Sequence, residues 1–253
     1  MIIGIAGKGG VGKTTIAALL IRSLLGRGLK PLLAVDADPN SCLNEKIGVE
    51  AGRTLGEIRE DSVHLKHESP AGIAKRDILE MEVQSAITEG AGFDLLAMGR
   101  QEGPGCYCAV NNLLRSFVDG LGGAYKAVVI DNEAGMEHLS RRTNAGVDVM
   151  LFVCQPTRSS ARALARLKAL AESLDFRIGA EYVVVNRANC VLEAAVQAEI
   201  EGVGLETIGF VPEDEVVLRY ESRDESLLKL PADSAAAAAV DQIVNKLTEG
   251  GKA

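Results

Sequence analysis

The chain has 253 residues, of which 47% are apolar and 4% aromatic, with no Trp and a formal net charge of −8. That length suits one α/β domain, and the acidity argues against bulk electrostatic attraction to DNA, RNA or an anionic membrane while leaving room for a local basic patch. A core this poor in rings is built from Ala, Val, Ile and Leu, as parallel strands covered on both faces prefer. Short apolar runs alternate with stretches of helical period, the pattern of a βαβ-wound sheet. In chain order, strands are expected over Ile2–Ala6, Pro31–Val35, Asp94–Met98, Ala127–Asp131, Val149–Val153, Glu181–Val185 and Thr207–Val211. Helices are expected over Lys13–Leu25, Asn111–Leu121, Ser159–Leu174 and Ser234–Leu247. Residues 50–92 are polar, scattered with Gly and aperiodic, and read as an irregular or short-helical insertion.

No internal repeat or linker interrupts this pattern. The expected fold class is therefore α/β: a single doubly wound, mainly parallel sheet with helices on both faces, one domain over residues 1–253. No apolar run approaches the roughly 20 residues of a membrane span. The first strand begins at Met1 or Ile2 with no basic segment or cleavage pattern before it, so the expected location is cytoplasmic.

The first strand runs into GKGGVGKTT, where Gly7, Gly12, Lys13 and Thr14 satisfy G-x-x-x-x-G-K-[ST]. Gly7, Lys8, Gly9, Gly10, Val11 and Gly12 form a loop whose backbone N–H groups curl into an anion nest. Lys13, Thr14 and Thr15 then open a helix whose N-terminus adds its positive end. Lys13 is placed for the β- and γ-phosphates and the Thr14 hydroxyl for Mg²⁺, so ATP or ADP with magnesium is the expected ligand.

The second strand ends in DADPN, which sets Asp36 and Asp38 at the carboxyl end, where ligands bind in open α/β sheets. Two aspartates this close repel unless a cation or a phosphate-bound water lies between them. AVVID ends at Asp131, an acidic residue after four apolar ones that suits a water-mediated Mg²⁺ ligand. The NEAG that follows gives Gly135 the freedom to respond to a γ-phosphate. Asn186 follows VVV and Pro212 follows GFV, each at a strand end.

GPGCYC places Cys106 and Cys108 two apart, on one face of an extended segment. Two thiolates are a soft but incomplete ligand set, and a second subunit would complete four sulfurs around nickel or zinc. Cys42, Cys154 and Cys190 stand alone; Cys154 ends an apolar run and Cys42 is expected to be buried with it as a small hydrophobe. His138 reads as a structural polar residue, and Arg158, Arg162 and Arg166 as a solvated basic stripe.

KGGVGKT resembles the deviant Walker A of the MinD/ParA/nitrogenase iron-protein class. The resemblance implies that Lys8 reaches across a dimer interface to the partner's nucleotide and that Asp38 positions the attacking water. It also implies that Asp36 lies near Mg²⁺, that Asp131 is the Walker B acid, that Asn186 bonds adenine and that the Pro212 loop closes over it. Together with VDADPNSC, GPGCYC and DNEAGMEHLSRRT, the motif resembles the CooC-type nickel-insertion ATPases that mature carbon monoxide dehydrogenase. The accessory ATPases of acetyl-CoA synthase are close in pattern.

This resemblance runs from the first strand through VPED. It implies a homodimer that binds nickel at Cys106 and Cys108 and couples ATP hydrolysis to metal delivery, with the dehydrogenase or the synthase as client. An iron-protein cluster would need a Cys within Asp131 to Arg142, where there is none, and the TEGGKA tail lacks the basic amphipathic helix of membrane-cycling MinD proteins. The alternatives are a MinD/ParA-like or iron-protein-like nucleotide switch, and a nucleotide-gated metal-binding adaptor with little turnover.

Overall fold

The computed structural model describes residues 1–40, 42–50, 52–64, 81–99, 123–132, 146–173 and 177–249. Among these residues eight strands are present: β1 (Ile2–Gly7), β2 (Leu32–Ala37), β3 (Thr88–Glu89), β4 (Phe93–Ala97), β5 (Ala127–Asn132), β6 (Val147–Cys154), β7 (Ile178–Asn186) and β8 (Glu206–Val211). They form one sheet in the order β3-β4-β2-β5-β1-β6-β7-β8. Every pairing is parallel except β3 with β4. β1 lies at the centre, with Ile3 beside Val129 of β5 and Val149 of β6. From β1 the chain winds to β2 on one side, and later strands extend the sheet on the other. The crevice above the carboxyl end of β1 is therefore where the winding reverses, the usual ligand position in such sheets.

Side chains alternate between two apolar layers, as the two-residue period of a strand requires. Ile3, Ile5, Leu32, Ala34, Val129 and Leu151 pack on one face. That face is covered by α1 (Lys13–Gly26) through Ile16, Leu20 and Leu24, and by α7 (Ala235–Glu249) through Val240 and Val244. Ala6, Leu33, Val35, Ile130, Met150 and Phe152 pack on the other. There α3 (Leu55–His64) contributes Leu55 and Ile58, α4 (Arg158–Ser173) contributes Leu164, and α5 (Ala194–Glu201) contributes Val196 and Ile200. Leu20 has no exposed surface, and its truncation to Ala would cost roughly 2–5 kcal/mol. Two short helices, α2 (Leu43–Ile47) and α6 (Glu215–Glu221), border the ligand end of the sheet.

All seven expected strands are present with shifted ends, and the fold class is as read. β3 was not expected, since two residues carry no period. Within 50–92 the short-helical option holds for α3, and α2, α5 and α6 are additional helices of eight residues or fewer, too short to show a helical stripe. The helix expected over Asn111–Leu121 lies outside the described residues. At the far edge, the β7–β8 register shifts so that Ile208 is an extra residue between Thr207 and Gly209. Lys246 Nζ of α7 donates to the Ile208 carbonyl at 2.6 Å. Among the described residues, no helix is long and apolar enough to cross a membrane.

Candidate functional site

The loop between β1 and α1 is shaped by glycine at two close approaches. A Cβ on Gly7 would lie 2.5 Å from the Val153 carbonyl of β6. Gly12 caps α1 at φ 93°, in the left-handed region, and a Cβ there would lie 2.3 Å from Asn186 Nδ2. Both positions exclude a larger residue. The loop is held from outside by two side-chain amides at neighbouring strand ends. Asn186 Nδ2 donates to the Val11 carbonyl at 2.8 Å, and Gln155 Nε2 donates to the Gly10 carbonyl at 3.3 Å. A trans peptide points its N–H opposite its C=O, so anchoring the Val11 oxygen turns the Gly12 N–H to the other side. α1 begins with no side-chain cap and no acidic residue in its first turn. Its first N–H groups and positive dipole end are thus offered to an anion. Lys13 is buried in this turn, Thr14 and Thr15 are half-buried, and Lys8 is exposed.

Asp36 of β2 and Asp131 of β5 are direct neighbours in register, each 1% exposed. Burial pushes the Asp36 carboxyl up to about 6, against the lowering effect of the Leu43 and Asp38 N–H groups. Burial pushes Asp131 up to about 7, although the Thr14 hydroxyl donates to it and the Lys13 charge also favours ionisation. Among the described residues, Oδ1 of Asp131 has no hydrogen-bond partner. Two adjacent carboxylates, one with an orphaned oxygen, beside a threonine hydroxyl make a hard oxygen set. That set fits Mg²⁺. Asp38 sits above them: its N–H donates to Asp36 Oδ1 at 3.2 Å, and its Oδ1 accepts from Asn40 N at 2.8 Å and Nδ2 at 3.0 Å.

Toward β7 and β8 the site continues as a shallow, partly open cleft lined by Gly12, Thr15, Asn186, Pro212, Leu218 and Glu221. Its wall is fixed by Asp214, which caps α6. Asp214 Oδ1 accepts from Val216 N at 2.8 Å, and Oδ2 accepts from Ser234 Oγ at 2.7 Å and Ala236 N at 3.0 Å. Burial alone would raise this carboxyl, but those donors outweigh it and hold it below its ordinary value.

The structure therefore brings Lys13, Thr14, Asp36, Asp38 and Asp131 to one end of the cleft, and Asn186 and Pro212 to the other. A model of the CobQ/CobB/MinD/ParA nucleotide binding domain matches residues 2–228.

The chain belongs to that family.

Among the relatives of this CobQ/CobB/MinD/ParA chain is an uncharacterized ATP-binding protein of Methanocaldococcus jannaschii, 41% identical over 98% of both chains. The carbon monoxide dehydrogenase accessory protein CooC of Rhodospirillum rubrum is 33% identical over 70% of this chain and 71% of its own. In solved structures the same fold recurs in the MinD cell division protein of Aquifex aeolicus, with a TM-score of 0.71, 23% identity and 98% and 96% of the two chains covered. It recurs also in the septum site-determining protein MinD of Pyrococcus horikoshii complexed with Mg-ADP, at a TM-score of 0.66, 20% identity and 99% and 97% coverage.

Three residues of this MinD/ParA-type site were not singled out from sequence: Gln155, which holds the loop, and Asp214 and Glu221, which line the cleft. Gln155 had a usable signal, since it directly follows the apolar run that ends at Cys154. Asp214 stands in the capping position before a helix, and Glu221 had no signal. Cys106, Cys108, Gly135 and His138 lie outside the described residues.

One expectation is corrected: Cys42 is exposed, not buried. It occupies the position before α2, and its Sγ donates to the Asn40 carbonyl at 3.7 Å instead of entering the core. Cys154 is buried as expected, and burial pushes its thiol up to about 12. Arg158, Arg162 and Arg166 are exposed, as a solvated stripe requires, and the first two also pair with Glu199 of α5, at 2.8 and 3.3 Å.

Proposed function

We propose that this chain is a dimerising ATPase whose nucleotide cycle controls delivery of a nickel ion to a carbon monoxide dehydrogenase or acetyl-CoA synthase client. The observation that carries the ATPase reading is the pairing of Asp36 and Asp131 beside Thr14 and the phosphate loop. Lys13 holds the charge of the β- and γ-phosphates. Thr14, Asp36 and Asp131 hold Mg²⁺, directly or through water. When bound, Mg²⁺ neutralises charge on the phosphates and stabilises what builds up on the transferring phosphoryl group. Asp38 orients the attacking water. Lys8, exposed on the loop, acts on the nucleotide of the partner subunit, as an arginine finger does. Asn186 keeps one amide hydrogen on Val11 and has its carbonyl oxygen and second hydrogen for adenine, with Pro212 closing over the ring.

The cargo reading is supported by the Cys106/Cys108 spacing and by the similarity to CooC. Two cysteines from each subunit of a homodimer give four thiolates, a complete shell for one soft ion shared between the copies. On this reading residues 1–253 are one cytoplasmic domain.

Lys13→Ala is expected to lose nucleotide binding. Lys8→Ala keeps binding and loses hydrolysis, and mixing it with Asp38→Asn restores part of the activity through heterodimers. Equilibrium dialysis with nickel is expected to give one ion per dimer, abolished by Cys106→Ser with Cys108→Ser. One ion per monomer, or full binding by the double variant, refutes the shared site. Steady magnesium-dependent ATP turnover with no nickel bound would instead favour a plain nucleotide switch.

A further inference from the structure

The wall of the cleft makes one contact that a nucleotide would have to break. Thr15 Oγ1, in the first turn of α1, donates to Glu221 Oε1 at 2.8 Å. Lys46 Nζ of α2 lies 2.8 Å from the same oxygen. Both Thr15 and Glu221 line the cleft, and Glu221 is the last residue of α6, the helix that Asp214 caps.

A threonine hydroxyl carries a single hydrogen. It cannot donate to Glu221 and to a phosphate oxygen together. A phosphate seated at the start of α1 also brings negative charge next to the Glu221 carboxylate. This argument rests on the nucleotide reading of the cleft.

We infer that Glu221 is a placeholder for a nucleotide phosphate: its carboxylate holds the Thr15 hydroxyl until the phosphate takes it, and Lys46 then keeps the displaced carboxylate from opposing the anion. The exchange is one of hydrogen-bond acceptors, with no proton or bond lost. Its geometry also reaches the metal carboxylates. Lys46 lies on α2, whose first residue, Leu43, donates its N–H to Asp36 Oδ2 at 2.9 Å. One five-residue helix thus touches Glu221 through Lys46 at one end and Asp36 through Leu43 at the other. A phosphate that frees Glu221 onto Lys46 pulls on the segment that follows Asp38.

The opposite role, a staple joining α1, α2 and α6, gives different results in a titration with ADP. Glu221→Gln keeps an acceptor oxygen for Thr15 but removes the charge. The placeholder role predicts that this variant binds ADP about fivefold more tightly than the wild type. Lys46→Met, which leaves the carboxylate unscreened, binds about fivefold more weakly. In the Glu221→Gln background, Lys46→Met changes affinity by less than about twofold, because the charge it screened is gone. Both single effects shrink at high salt.

Unchanged or weaker ADP binding by Glu221→Gln overturns the inference, as do additive effects of the two substitutions. Thermal melts of the same proteins identify a staple, which would lower the melting temperature of Glu221→Gln without tightening ADP. Lys13→Ala, titrated beside them, separates the two claims. If the wild type binds ADP, Lys13→Ala does not, and Glu221→Gln is unimproved, only the placeholder falls. If the wild type fails to bind ADP, the nucleotide reading falls with it.

Discussion

Asp131 and Asp214 are both carboxylates at the ligand end of the sheet, and their surroundings differ in burial, Asp131 being buried and Asp214 half-buried, and in the donors they receive. Asp214 receives three donors, split between its two oxygens. Asp131 receives the Thr14 hydroxyl, while its other oxygen has no partner among the described residues. The first is held below its ordinary value and the second is pushed up to about 7, chiefly by burial. The comparison teaches how to tell scaffold from site: a saturated carboxylate fixes a helix, and a starved one beside a phosphate loop waits for a cation.

The strongest test makes the same substitution at both positions. Asp131→Asn is expected to lower magnesium-dependent ATP hydrolysis by about 100-fold or more. In magnesium-free urea titrations near pH 8 the same variant should be more stable than wild type by roughly 1–3 kcal/mol, since a buried charge is removed. Asp214→Asn should do the reverse. An amide has one acceptor oxygen, so its NH₂ must face either Val216 N or the Ser234 and Ala236 donors. A loss of about 1–2 kcal/mol is expected, with a smaller effect on hydrolysis. Equal signs at the two positions would dissolve the comparison.

Stability against pH sharpens it. Asp36 and Asp131 have raised values, about 6 and about 7, so between roughly pH 4 and pH 7 the folded chain holds protons that the unfolded chain has lost. Magnesium-free stability should therefore fall as pH rises through that window. Asp214, held low, contributes stability that is present above the ordinary carboxylate value and lost on further acidification. Saturating Mg²⁺ should reverse the first trend, because its ligands bind deprotonated. A melting temperature that rises steadily from pH 4.5 to pH 8 without magnesium would contradict the burial of the pair.

The smallest effects concern the clamps on the loop. Asn186→Ala, which frees the buried Val11 carbonyl, should weaken ADP binding by about tenfold, and Gln155→Ala by about twofold to fivefold. A larger effect for Gln155, whose contact is longer and more exposed, would place the loop's anchor on β6 instead of β7.

The seven expected strands were legible because each is built around a short apolar run. The phosphate loop was legible because glycine spacing there answers to backbone geometry. Asp36 and Asp131 could be placed at strand ends, but not side by side: that depends on β2 and β5 pairing across a crossover. Glu221 and Lys46 were invisible for the same reason. Their elements are too short to show a stripe, and the oxygen they share with Thr15 exists only after three distant segments meet. Cys42 was misread because residue type suggested burial, whereas its place before α2 turns it outward.

The sheet's two margins bear on how copies of this chain can gather. Among the described residues, one margin is a two-residue strand set antiparallel to its neighbour. The other carries an extra residue at Ile208, whose carbonyl is already taken by the Lys246 ammonium. Fibre growth by strand addition needs a long row of unsatisfied backbone groups, and short, bulged or lysine-blocked margins deny it. Crowding this protein in a test tube should therefore yield discrete particles and not filaments that bind amyloid dyes.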